Sequence, residues 1–180
     1  MVSIQRLAVS PFNCFTQLPR GGDRDVGAGY VMALTAVGVT TLYYLFVGVG
    51  ILLIGVGFGG ESFFTNAAVG LLSGALGLSA VVAPLLFVTG IVAWRVVPTS
   101  QRYSGAIGGL LAMALAYLVA GALVVGLAAV SAVATGSPLV DSVIGSSSII
   151  VVAFLASSWI ALPASILTGT LYERARSAAK

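Results

Sequence analysis

Charged residues in this chain leave four long stretches without a single one: Val26 to Gly60, Ser62 to Trp94, Tyr103 to Val140 and Ser142 to Tyr172. Each exceeds the ~20 apolar residues that cross ~30 Å of hydrocarbon at 1.5 Å per residue. Backbone in lipid must satisfy its own hydrogen bonds, which leaves helices or closed barrels. A barrel needs short segments of alternating polarity, and these runs are continuously apolar. The pattern therefore predicts an all-α integral membrane protein, a four-transmembrane-helix bundle. The expected spans are Gly29 to Gly57, Thr65 to Trp94, Tyr103 to Ala134 and Val143 to Tyr172. Gly57, Gly59 and Gly60 mark the first turn, Pro98 to Ser100 the second, and Gly136 to Pro138 the third.

Composition supports the same class. Only 7% of the 180 residues are charged, against about a quarter in a soluble domain. Mean hydropathy is +1.12. A net charge of +3 from scattered arginines forms no basic face, so nucleic-acid binding is a poor reading. With one cysteine, Cys14, and no histidine, the chain can build neither an internal disulfide, nor a cysteine–histidine zinc site, nor a histidine-ligated haem. No cofactor is expected.

The basic residues give an orientation. Arg6, Arg20 and Arg24 precede the first span, Arg95 and Arg102 flank the second connection, and Arg174, Arg176 and Lys180 follow the fourth span. With four spans, all eight lie on one side. The first and third connections hold only Glu61 and Asp141. The positive-inside rule then places both termini in the cytoplasm of a cell-membrane protein, N-in and C-in. The chain divides into residues 1–28, residues 29–172 forming the transmembrane domain, and a basic tail at 173–180. The first residues do not read as a secretory signal, and the first span is expected to direct its own insertion. Two readings stay open for 1–28: an interfacial segment with Arg20 and Arg24 near lipid phosphates, or a disordered tail. Cys14 is either an S-acylation site or a plain reduced thiol. Trp94, Tyr103 and Tyr172 are expected in the aromatic belt on the basic side, and Phe63 and Phe64 in the opposite one.

The halves resemble each other. Leu42-x-Tyr44-Leu45-x-x-Gly48 recurs as Leu115-x-Tyr117-Leu118-x-x-Gly121, displaced by 73 residues. Pro84, Thr89, Gly90 and Arg95 recur as Pro163, Thr168, Gly169 and Arg174, displaced by 79. Glu61-Ser62 and Asp141-Ser142 correspond as well. The expected architecture is two parallel-repeat helical hairpins about a pseudo-two-fold axis along the membrane normal, unlike the inverted repeats of many transporters. Chance matching in a text of alanine, glycine, leucine and valine is the competing explanation.

Small residues recur at every fourth position: Gly108, Ala112, Ala116 and Ala120 in the third span, and Ala153, Ser157, Ala161, Ser165 and Gly169 in the fourth. This spacing aligns them on one face, where close backbone approach drives packing in lipid. Packing within one bundle is the first reading and homo-oligomerisation the second. Pro84 and Pro163 each remove an amide donor inside a span and should kink it. With Tyr44, Thr89, Tyr117 and Thr168 they form a candidate paired polar site, against the simpler view that the bends serve packing.

No Asp, Glu, His, Lys or Arg falls inside a span, so a buried proton relay or charged-substrate site is not expected. Serines such as Ser157 have no base to activate them. The leading functional expectation is a non-enzymatic structural or accessory subunit of a membrane assembly, whose partners are the lipid bilayer and either itself or a larger complex. The alternative is a small permease or channel for a neutral solute. A membrane enzyme without a recognisable motif comes third.

Overall fold

The structure, a computed structural model, describes residues 18–55, 61–98 and 103–178. The described residues form four α-helices: α1 (Arg24–Gly55), α2 (Glu61–Val96), α3 (Ser104–Thr135) and α4 (Leu139–Ala178). All four are long and apolar enough to cross a membrane. Consecutive helices run antiparallel and form a ring: α1 packs on α2, α2 on α3, α3 on α4, and α4 returns to α1. The end that carries the start of α1, the end of α4 and the α2–α3 connection is termed proximal, and the opposite end distal.

The helices outrun the apolar runs. α1 begins at Arg24 rather than Gly29, α2 at Glu61 rather than Thr65, and α4 at Leu139 rather than Val143, continuing to Ala178 rather than stopping at Tyr172. The divisions at 28/29 and 172/173 therefore fall inside helices. At the proximal end the reason is electrostatic, because the added turns carry side chains that pair across helices. Arg24 bonds Glu173 at 3.2 Å and Arg95 bonds Asp25 at 2.7 Å. Before α1 the chain turns tightly, with Arg20 at φ 57° and the Gly21 amide donating to the Leu18 carbonyl. The third connection is a glycine-capped stop. Gly136 takes φ 69°, donating to the Ala132 carbonyl, and Ser137 donates to the same carbonyl at 2.9 Å. A left-handed residue there satisfies the last carbonyls of α3, and Pro138 cannot continue the helix. Cys14 and Arg102, and the side chains of Phe63 and Phe64, lie outside the described residues.

Packing is uneven along the bundle. In the proximal half the helices close on one another around Met32, Leu86, Ala93, Trp94, Ala112 and Ala161, all nearly inaccessible. In the distal half the outward side chains are large and apolar: Leu45, Phe46, Leu53, Leu72, Leu127 and Ile149 are exposed. Such a surface is costly in water and cheap in hydrocarbon, and apolar side chains cover the outside of this bundle as well as filling its proximal core.

Each hairpin is drawn together by residues with little side chain. A Cβ placed on Gly29 would lie 2.8 Å from the Phe87 carbonyl oxygen, and one on Gly90 would lie 3.1 Å from the Gly29 Cα. In the other hairpin, Cβ atoms on Gly105 and Gly109 would collide with the carbonyl oxygens of Gly169 and Ser165. Here the helix backbones touch, as in small-xxx-small packing.

Candidate functional site

Among the described residues, polar side chains from several helices gather in a network at the proximal end and in a cleft at mid-bundle.

The proximal network is built around Arg24. Its Nε donates to Glu173 Oε1 at 3.2 Å, and its Nη1 donates to the carbonyls of Trp94 at 3.2 Å and Val97 at 3.0 Å. A guanidinium on the free carbonyls at the end of α2 satisfies them and opposes the negative end of the helix dipole. Trp94 Nε1 donates to Glu173 Oε2 at 3.4 Å, and Tyr172 Oη donates to the Arg24 carbonyl at 2.9 Å. The Trp94 indole lies against Gly108, where a Cβ would come within 3.0 Å of the ring. This arrangement ties α1, α2 and α4 together and seats α3 on the indole.

Three expectations change here. Arg24 does not face lipid phosphates, because its side chain is spent on α2 and α4. Trp94 and Tyr172 are not belt residues, at 2% and 8% exposure. Their polar ends find partners inside the network, so burial costs them little. Tyr103 is exposed, as a belt residue would be.

The cleft lies between all four helices and encloses about 380 Å³. Its floor is Met32, Leu86, Met113 and Ser165; Val39, Val82 and Ala116 line its sides. Toward the distal half it opens past Leu78, Val124, Ile149 and Ala153, all of which are exposed. The wall is overwhelmingly apolar. Its polar side chains are the hydroxyls of Thr35, Thr40, Tyr43, Tyr117, Ser157 and Ser165. Tyr117 and Ser157 bond each other across α3 and α4 at 2.7 Å, and the Tyr117 ring packs edge-on to Phe154.

The small-residue stripes are placed as follows. Ala161, Ser165 and Gly169 are buried, Ser157 is half-buried, and Ala153 is exposed at the cleft rim. On α3, Gly108 lies under Trp94 of α2, Ala112 and Ala116 are buried, and Ala120 is half-buried in the cleft wall. The α3 glycines that meet the backbone of α4 are Gly105 and Gly109, which the stripe beginning at Gly108 does not include. They too are four residues apart, and that spacing is the signal by which they could have been found.

The paired polar site does not assemble. Of its six residues only Tyr117 lines the cleft. Pro84 and Pro163 point outward. Thr89 and Thr168 turn back to their own helices, donating to the carbonyls of Leu85 at 3.0 Å and Ala164 at 2.6 Å. Such back-bonding satisfies the hydroxyl without a neighbouring helix. Tyr44 packs over Gly74 of α2, and it is its neighbour Tyr43 that faces the cleft. Successive residues on a helix are about 100° apart, so one position decides which tyrosine turns inward.

Among the described residues, the lining of the cleft holds no carboxylate, amine, guanidinium or thiol that could act as a base on its hydroxyls. Among the described residues no group of His, Cys, Asp or Glu is gathered to hold a metal ion. No protein-family model, no curated protein and no solved structure matches this chain.

Proposed function

We propose that this chain is a non-enzymatic protein of the cell membrane, with both termini in the cytoplasm, that holds one apolar membrane-soluble molecule in its mid-bundle cleft as an accessory subunit of a larger assembly. The carrying observation is the cleft itself, about 380 Å³ with an almost wholly apolar wall. That volume lies within the range of about 300–1,000 Å³ typical of small-molecule sites. The closed proximal half, with Trp94 and the Gly105–Gly169 contact below the floor, argues against an open conduit for a neutral solute.

The duplicated-hairpin reading belongs to the same proposal. It is supported by one matching pair of close approaches: Gly90 lies against Met32, and Gly169 against Gly105. These are the positions that the displacements of 73 and 79 would equate. The copies differ where the cleft forms, because Tyr117 lines it and Tyr44 does not. The cytoplasmic placement of the proximal end is supported by the basic residues gathered there.

The test is native mass spectrometry of the protein released from nanodiscs made with host-membrane lipids. Wild type should retain an apolar adduct, and Ala120→Phe, which fills the cleft from α3, should lose it. A wild type released bare would remove the binding function, as would equal retention by both proteins.

A further inference from the structure

The hydroxyls of the cleft are not equivalent, and the bookkeeping of their protons says what kind of molecule fits. Ser157 Oγ donates to the Ala153 carbonyl at 2.7 Å, which uses its only proton. In the 2.7 Å contact with Tyr117 the phenol must therefore donate and the serine accept. Tyr117 Oη is left as an acceptor alone. Thr35 and Ser165 also spend their protons on their own helices, at Val31 and Leu162.

The α1 wall differs. Thr35 and Thr41 bond carbonyls four residues back, but Thr40, only 7% exposed, makes no such bond. Among the described residues neither Thr40 Oγ1 nor Tyr43 Oη has a hydrogen-bond partner. The two are three residues apart and share one helix face. An unbonded hydroxyl against apolar surroundings is unfavourable, and more so in a low-dielectric interior than in water. The cleft thus offers free donors on α1 and a free acceptor at Tyr117.

We infer that the molecule the cleft holds is an uncharged, membrane-soluble alcohol: an apolar body carrying one hydroxyl. This rests on the proposed binding function and specifies its ligand. A hydroxyl can accept from Tyr43 or Thr40 and can donate to Tyr117, so it fits either wall. A carbonyl, ester or ether can only accept and leaves Tyr117 unused. A plain hydrocarbon leaves all three hydroxyls unused. A charged headgroup would meet no counter-charge among the described lining residues, at a large desolvation cost.

The experiment uses the full chain in lipid nanodiscs and two diazirine probes of equal length, a long-chain alcohol and the matching alkane. Wild type should be labelled by the alcohol about two- to tenfold more than by the alkane, the factor that one net hydrogen bond supplies. Thr40→Val with Tyr43→Phe removes both free donors and should lower alcohol labelling toward the alkane level without changing alkane labelling. Tyr117→Phe, on the opposite wall, should also lower the preference for the alcohol. Equal labelling of wild type by the two probes, or an unchanged preference in both variants, overturns the alcohol assignment and leaves the apolar cleft standing. Ala120→Phe should block both probes. If it is labelled as strongly as wild type by both, the probes bind elsewhere and the binding function falls together with its ligand.

Discussion

Replacing Gly105 by alanine should destabilise this bundle although it adds one methyl group. The new Cβ would collide with the carbonyl oxygen of Gly169, and the facing glycine is as confined, since a Cβ there would collide with the Gly105 carbonyl. Neither obstacle is a flexible side-chain tip that could swing aside. The helices themselves must part, by on the order of 0.5–1 Å, which already forfeits a quarter to a half of the attraction at each contact along the seam. Overpacking of this kind costs about 1–3 kcal/mol. The loss is felt beyond the pair, because Gly109 meets the Ser165 carbonyl one turn further along the same seam. Gly126→Ala is the control: it sits mid-helix in α3 with nothing within 4 Å of its added Cβ. There alanine should stabilise by up to ~1 kcal/mol through helix propensity alone. Unfolding of the purified protein, followed by far-UV circular dichroism as denaturing detergent increases, would read both variants. Equal stability of Gly105→Ala and Gly126→Ala would refute the backbone-contact argument for α3 and α4.

Arg24→Ala should cost about 3–5 kcal/mol, because it strands Glu173 and the last carbonyls of α2 in a mostly buried network, whereas Arg95→Ala, at an exposed pair, should cost about 0–1 kcal/mol; comparable losses in the same unfolding assay would contradict the distinction. Ala161→Leu should disrupt the bundle by overpacking, at about 1–3 kcal/mol, while Ala153→Leu at the rim should be tolerated; gel filtration and thermal melts compare them, and a normal Ala161→Leu protein would sink the claim. Cysteines introduced singly at Glu61 and Arg102 in a Cys14→Ser background should differ on intact cells, with an impermeant thiol reagent labelling position 61 and sparing position 102. The opposite pattern would reverse the assigned topology.

The class of this fold was legible because lipid-spanning helices are specified by local chemistry. Uninterrupted apolar length, breakers such as Gly136-Ser137-Pro138, and the absence of charge within each apolar run are all properties of short stretches of chain. Helix number and approximate position follow from them without knowledge of any neighbour. Helix ends did not follow, because Arg24 and Glu173 look like boundary charges until each is seen to be the other's partner, 149 residues apart.

The cleft was not legible for a related reason. A helix that is apolar all round carries no amphipathic stripe, so its sequence does not say which face turns inward. Tyr43 and Tyr44 are chemically alike, and only the rotation of α1 against α2 sends one over Gly74 and the other into the cleft. The same ambiguity set the α3 stripe at Gly108, which takes the weight of Trp94, and missed Gly105 and Gly109, which meet the backbone of α4. Four-residue spacing told that these helices approach closely. Which register makes the contact was decided by the packing of all four helices at once, since each rotation must suit two neighbours in the ring.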